Sequence, residues 1–100
     1  MLEPNVTTVS HRLLGALRRL AIAPGATWDL TQQEASTLAK AMSAVGRDQG
    51  RVDEIYLSPQ ASDGEFVAKV TSEGLIVATA GGECLIGWTE VTALAEALAS

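Results

Sequence analysis

Downstream of Arg51, and as far as Trp88, apolar residues recur at every second position in four short runs, roughly residues 52–58, 65–71, 75–80 and 83–88. Successive side chains of a strand point to opposite faces, so this period reads as four half-buried β-strands. Residues 59–64, the Glu73-Gly74 dipeptide and the Gly81-Gly82 dipeptide separate the runs. The two dipeptides suit tight two-residue hairpins, because glycine supplies the positive φ that such turns need. The pattern therefore predicts a four-stranded antiparallel meander, each strand paired with the next.

The hairpin registers test this reading. A turn at Gly81-Gly82 sets Val77 opposite Ile86, and a turn at Glu73-Gly74 sets Val70 opposite Val77. Residues directly opposite share a face. One face then collects Phe66, Ala68, Val70, Leu75, Val77, Cys84, Ile86 and Trp88, joined by Ile55 and Leu57. This is the expected core. The other face collects Val67, Lys69, Thr71, Ile76, Ala78, Ala80, Leu85 and Gly87, with Tyr56 and Glu54 nearby. That mixture is too apolar for a plainly solvated surface and too polar for a deep core.

Upstream of Arg51 the spacing lengthens. Val6, Val9, Leu13, Leu17 and Leu20 lie three or four apart, which predicts a first helix ending before Pro24-Gly25. Thr31-Gln32-Gln33-Glu34 has the form of a capping box. A second helix follows with the stripe Ala35, Leu38, Ala39, Met42 and Val45, ending near Gly46 before a polar turn over residues 47–50. Thr89 caps a third, with Val91, Leu94, Ala95 and Leu98 on one side. The expected order is α-α-β-β-β-β-α: a single α+β domain over residues 1–100, its helices on one face of the meander. Sixteen alanines and only four aromatic residues mean a core of Leu, Val and Ile with close backbone approach at Ala.

The formal charge of −5 is unevenly spread, +2 over residues 1–23 and −7 over the rest. An acidic bulk repels phosphate backbones, which weighs against nucleic acid as the main partner. One cysteine excludes an intramolecular disulfide and fits a reducing compartment. The first residues lack a basic and apolar leader, and no apolar run reaches the length of a membrane span. The expectation is a cytoplasmic protein with no membrane partner. Its excess of Arg over Lys and its abundant Ala suggest a bacterial source.

Residue by residue, no catalytic group, metal site or cofactor site emerges. His11 is the only histidine and has no second ligand at metal spacing. Cys84 faces the expected core and reads as a small buried hydrophobe. Asp53 and Glu54 alternate to opposite faces, and Asp63 falls in a loop away from Glu65, so neither pair converges as acid and base. Trp28 and Trp88 could line a ligand pocket, but core packing is the commoner use. His11, Arg12, Arg18 and Arg19 form a basic patch on the expected first helix. A meander followed by a helix over residues 75–98 resembles the single-strand-binding transcriptional coactivators. The basic and aromatic surface of that family is missing here, so no residue role carries over.

The expectation is a non-catalytic protein-interaction or regulatory module, homodimeric or bound to another protein. Its interface would be the second sheet face, with Tyr56, Val67, Ile76, Ala78 and Leu85, or else the basic first helix. The alternatives are a small-ligand sensor with a pocket between helices and sheet, and a nucleic-acid accessory protein acting through the basic first helix. Two rivals compete for the second face itself: a helix crossing to cover it, or dimerisation through helix one instead.

Overall fold

In a computed structural model of the chain, residues 4–23, 26–47, 52–62 and 64–99 are described. The chain runs β1 (Asn5–His11), β2 (Gly15–Ala23), β3 (Ala26–Leu30), α1 (Gln32–Arg47), β4 (Glu54–Leu57), β5 (Phe66–Val70), β6 (Gly74–Thr79), β7 (Gly82–Gly87) and α2 (Trp88–Ala99). It forms two antiparallel sheets, β1-β2-β3 and β4-β5-β6-β7, in an α+β arrangement. The four-stranded meander stands in the expected order. Arg51, Asp63, the Pro24-Gly25 stop and most of the polar turn after Arg47 lie outside the described residues.

The expected first helix is instead a β-hairpin, and a third strand follows it. The residues spaced three and four apart divide between the two faces of a sheet: Leu20 and Ile22 enter the core, whereas Leu17 is buried on the opposite side. Two local features favour the strand. Val6-Thr7-Thr8-Val9 is an unbroken β-branched run, which loses side-chain freedom in a helix and packs well on a pleated surface. Gly15 adopts φ +81°, just where the chain reverses after the three-residue loop 12–14. The third strand carries a strict alternation, with Ala26, Trp28 and Leu30 buried and Thr27 and Asp29 less so.

In the meander both turns fall one residue earlier than expected. Val77 lies opposite Cys84 and Leu75 opposite Ile86, while Val70 lies opposite Leu75. Each register is thus displaced by two residues. A displacement of two keeps every side chain on its face, whereas one would have inverted the sheet. Phe66, Ala68, Leu75 and Val77 are fully buried as a result, with Ile55 and Ile86 nearly so.

The capping box forms as expected. Thr31 N donates to Glu34 Oε1 at 2.8 Å, and Glu34 N donates to Thr31 Oγ1 at 3.1 Å. The helix continues through Gly46 to Arg47, and the last one begins at Trp88, one residue before Thr89. One continuous core joins Leu20, Ile22, Trp28 and Leu30 of the first sheet with the buried stripes of α1 and α2 and the inner face of the second sheet. Ala26, Ala35, Ala39, Ala68 and Ala95 are buried within it, so small residues do set close approaches.

Candidate functional site

The outer face of the four-stranded sheet can be laid out from its registers. One row across β4, β5, β6 and β7 reads Glu54, Lys69, Ile76, Leu85, and the next reads Tyr56, Val67, Ala78, Glu83. All five apolar or aromatic residues singled out from the sequence therefore come together on this face. Tyr56 is 57% exposed and Leu85 52% exposed, Ala78 is exposed, and Val67 and Ile76 are half-buried. The last helix does not cross to cover them. Its buried residues Val91, Leu94, Ala95 and Leu98 join the core with Phe66, Val77 and Ile86 on the other side of the sheet.

Charge on this face is mixed rather than uniform. Lys69 lies directly opposite Glu54. The Tyr56 phenol is held above its ordinary pKa, first by a hydrogen bond to the Glu65 side chain, then by burial and by the charge of that carboxylate. It stays neutral through the physiological range and offers an amphipathic ring at the edge of the apolar patch.

The basic patch does not assemble. Arg19 pairs with Asp29, its cross-strand neighbour, through Nε to Oδ1 at 2.7 Å and Nη2 to Oδ2 at 3.1 Å. By alternation Arg18 points to the opposite face of the hairpin, and Arg12 sits in the exposed turn. His11 has a structural part. Its Nδ1 accepts from both Leu13 N and Leu14 N at 3.1 Å, as an Asp or Asn side-chain oxygen does at the start of a turn. His11→Ala is expected to cost about 1 kcal/mol in chemical denaturation, since two turn amides lose their acceptor. His11→Asn should retain most of that stability; equal losses for both variants would mean that the ring acts by packing.

The tryptophans are built into the scaffold. Trp28 Nε1 donates to Glu65 O at 3.1 Å, and its ring meets Phe66 edge-on with centroids 5.2 Å apart. Trp88 Nε1 donates to Ser72 O at 3.1 Å. Clefts of about 330 and 300 Å³ lie beside Trp28 and Trp88, each open to solvent along one side. Cys84 is half-buried on the core face opposite Val77. Among the described residues no three of His, Cys, Asp and Glu gather at metal-binding distance, and no helix is long and apolar enough to cross a membrane.

Two features were not anticipated, because both depend on the hairpin. Leu13 is 89% exposed at its tip, beside Leu14. A groove of about 400 Å³ runs between the start of β1 and α2, lined by Pro4, Asn5, Val6, Glu90, Ala93, Leu94 and Ala97. No family model, curated protein or solved structure matches the chain.

Proposed function

We propose that this protein is a non-catalytic interaction module that associates with a second copy through the outer face of its four-stranded sheet. The observation that carries the reading is the bareness of that face: both helices pack on the inner side, while Tyr56 and Leu85 remain more than half exposed. A contiguous apolar patch framed by charged residues is the usual composition of an interaction surface.

A two-fold pair can be laid out on these rows, although it sets Lys69 and Glu54 against apolar side chains, a cost that keeps it weak. An axis along the strands lays β5 over β6 of the second copy, and β4 over β7. Val67 then meets Ala78, Lys69 meets Ile76, Tyr56 meets Glu83, and Leu85 meets Glu54. No acid stacks on an acid. Four strands about 4.8 Å apart and some six residues long span on the order of 350 Å² of sheet. Stable complexes bury about 800 Å² per partner, so the association is weak and concentration-dependent.

Sedimentation velocity across the micromolar range tests it. The wild-type mass should rise from 10.4 kDa towards twice that value. Leu85→Arg should remain monomeric with unchanged circular dichroism, because the side chain it replaces is already half in solvent. A wild type that stays monomeric at about 100 µM, or a variant that still dimerises, rejects the reading. The sensor and nucleic-acid readings gain less support: the clefts beside the tryptophans are open-sided, and Arg19 is already neutralised by Asp29.

A further inference from the structure

Strand edges expose unpaired backbone groups, and most natural edges carry some device that blocks pairing with another chain. Three of the four edges here do. β4 is only four residues long and begins at the charged Glu54. β7 carries Glu83. β3 is clasped by the Ser62 hydroxyl, which accepts from Asp29 N at 2.6 Å and donates to Asp29 O at 3.3 Å.

Over residues 6–11, β1 shows none of these among the described residues. It is seven residues long, carries no Asp, Glu, Lys, Arg or proline, and is in unbroken register with β2. Among the described residues, no backbone hydrogen bond from outside the sheet reaches residues 6–11. Beside its first residues runs the groove between β1 and α2. Val6, Ala93, Leu94 and Ala97 make its walls apolar, and Glu90 stands among them. Ala93 is exposed and Ala97 half-buried, so this side of α2 is only partly covered by the chain itself.

We infer that β1 is a docking edge for an extended peptide segment of a partner protein, which adds as a fourth strand and lowers alternate side chains into the groove. Backbone pairing along the edge supplies affinity, and the groove supplies selectivity. The chemistry of the groove defines the segment. A branched apolar side chain fits between Val6 and Ala93, and a basic residue close by meets Glu90, on a helix with no basic residue of its own. A second copy of β1 fits poorly. Its residues on the groove side would be Val6, Thr8 and Ser10, and hydroxyls do not fill an apolar cleft.

The surface deepens the proposed role as an interaction module without using the outer sheet face. The probe is a synthetic nine-residue peptide alternating valine with threonine and ending in arginine, titrated into the full chain and followed by amide NMR. Shifts should concentrate on residues 6–10 and on Ala93 and Ala97. Ala93→Asp, at an exposed position, should weaken binding by about tenfold or more. Glu90→Gln should weaken the arginine-ended peptide but not its glutamine-ended counterpart. Leu85→Arg should bind as the wild type does, which separates this inference from the sheet-face dimer. Absence of binding, shifts confined to β7 or the outer face, or an Ala93→Asp variant that binds normally would overturn it. So would concentration-dependent shifts of the β1 amides without peptide, since these would assign the edge to a second copy.

Discussion

Phe66→Ala should lower the free energy of unfolding by about 3–5 kcal/mol, as read from urea denaturation at constant slope. Phe66 is fully buried and is the largest side chain at zero exposure. Its ring meets Trp28 edge-on at 5.2 Å, so the truncation removes an aromatic pair as well as leaving a cavity. A domain of this size has about 5–15 kcal/mol of stability in all, and the variant would stand near the margin of folding. Val77→Ala, on the same face, should cost less, about 2–4 kcal/mol, whereas Lys69→Ala should cost well under 1 kcal/mol. Similar midpoints for the three variants would show that the inner and outer faces had been exchanged.

Gly74→Ala should be as damaging, although it adds one methyl group. Gly74 lies directly opposite Gly87 with φ +152°. A β-carbon there would stand 2.0 Å from the Ile86 carbonyl oxygen and 2.9 Å from Gly87 Cα. Both are backbone atoms, so relief requires β6 and β7 to separate. Strained backbone and overpacking together suggest a loss of about 3–5 kcal/mol. Gly81→Ala is the control: nothing stands within 4 Å of its β-carbon and φ is not positive. It should leave the thermal midpoint nearly unchanged. Equal effects at the two glycines would mean that the close approach of β6 and β7 is not rigid.

The second half of the chain was readable because several local signals agree there. Alternation, glycine-bearing turns and face composition all specify one sheet, and the inner face survives an error of two residues in either register. The capping box was readable for the same reason, since Thr31 and Glu34 are close in sequence and sufficient between them. The first thirty residues were misread because their leucines satisfy a helical spacing by accident. In a sheet with both faces partly covered, Leu17 and Leu20 can be buried on opposite sides. The β-branched run at Val6, the glycine at position 15 and the alternation of Ala26, Trp28 and Leu30 were the contrary signals. The five outer-face residues followed from the meander alone. The docking edge did not, because a helix has no edge and the groove needs β1 beside α2.

Strand β3 and the first turn of α1 are fastened to the segment after β4 at three places. Trp28 reaches Glu65 O across 37 residues, Asp29 meets Ser62 across 33, and Glu34 Oε2 accepts from Gln60 N at 3.0 Å across 26. Each link spans α1, so none can form until that helix has folded back and a long loop has closed. Hairpin contacts within either sheet close much shorter loops and come with little entropic delay. The three links are therefore expected to form late in refolding, and Trp28 stands at one of them. In a Trp88→Phe variant, where Trp28 is the sole indole, fluorescence should change later than far-UV circular dichroism as the protein refolds; coincident traces would reject the order.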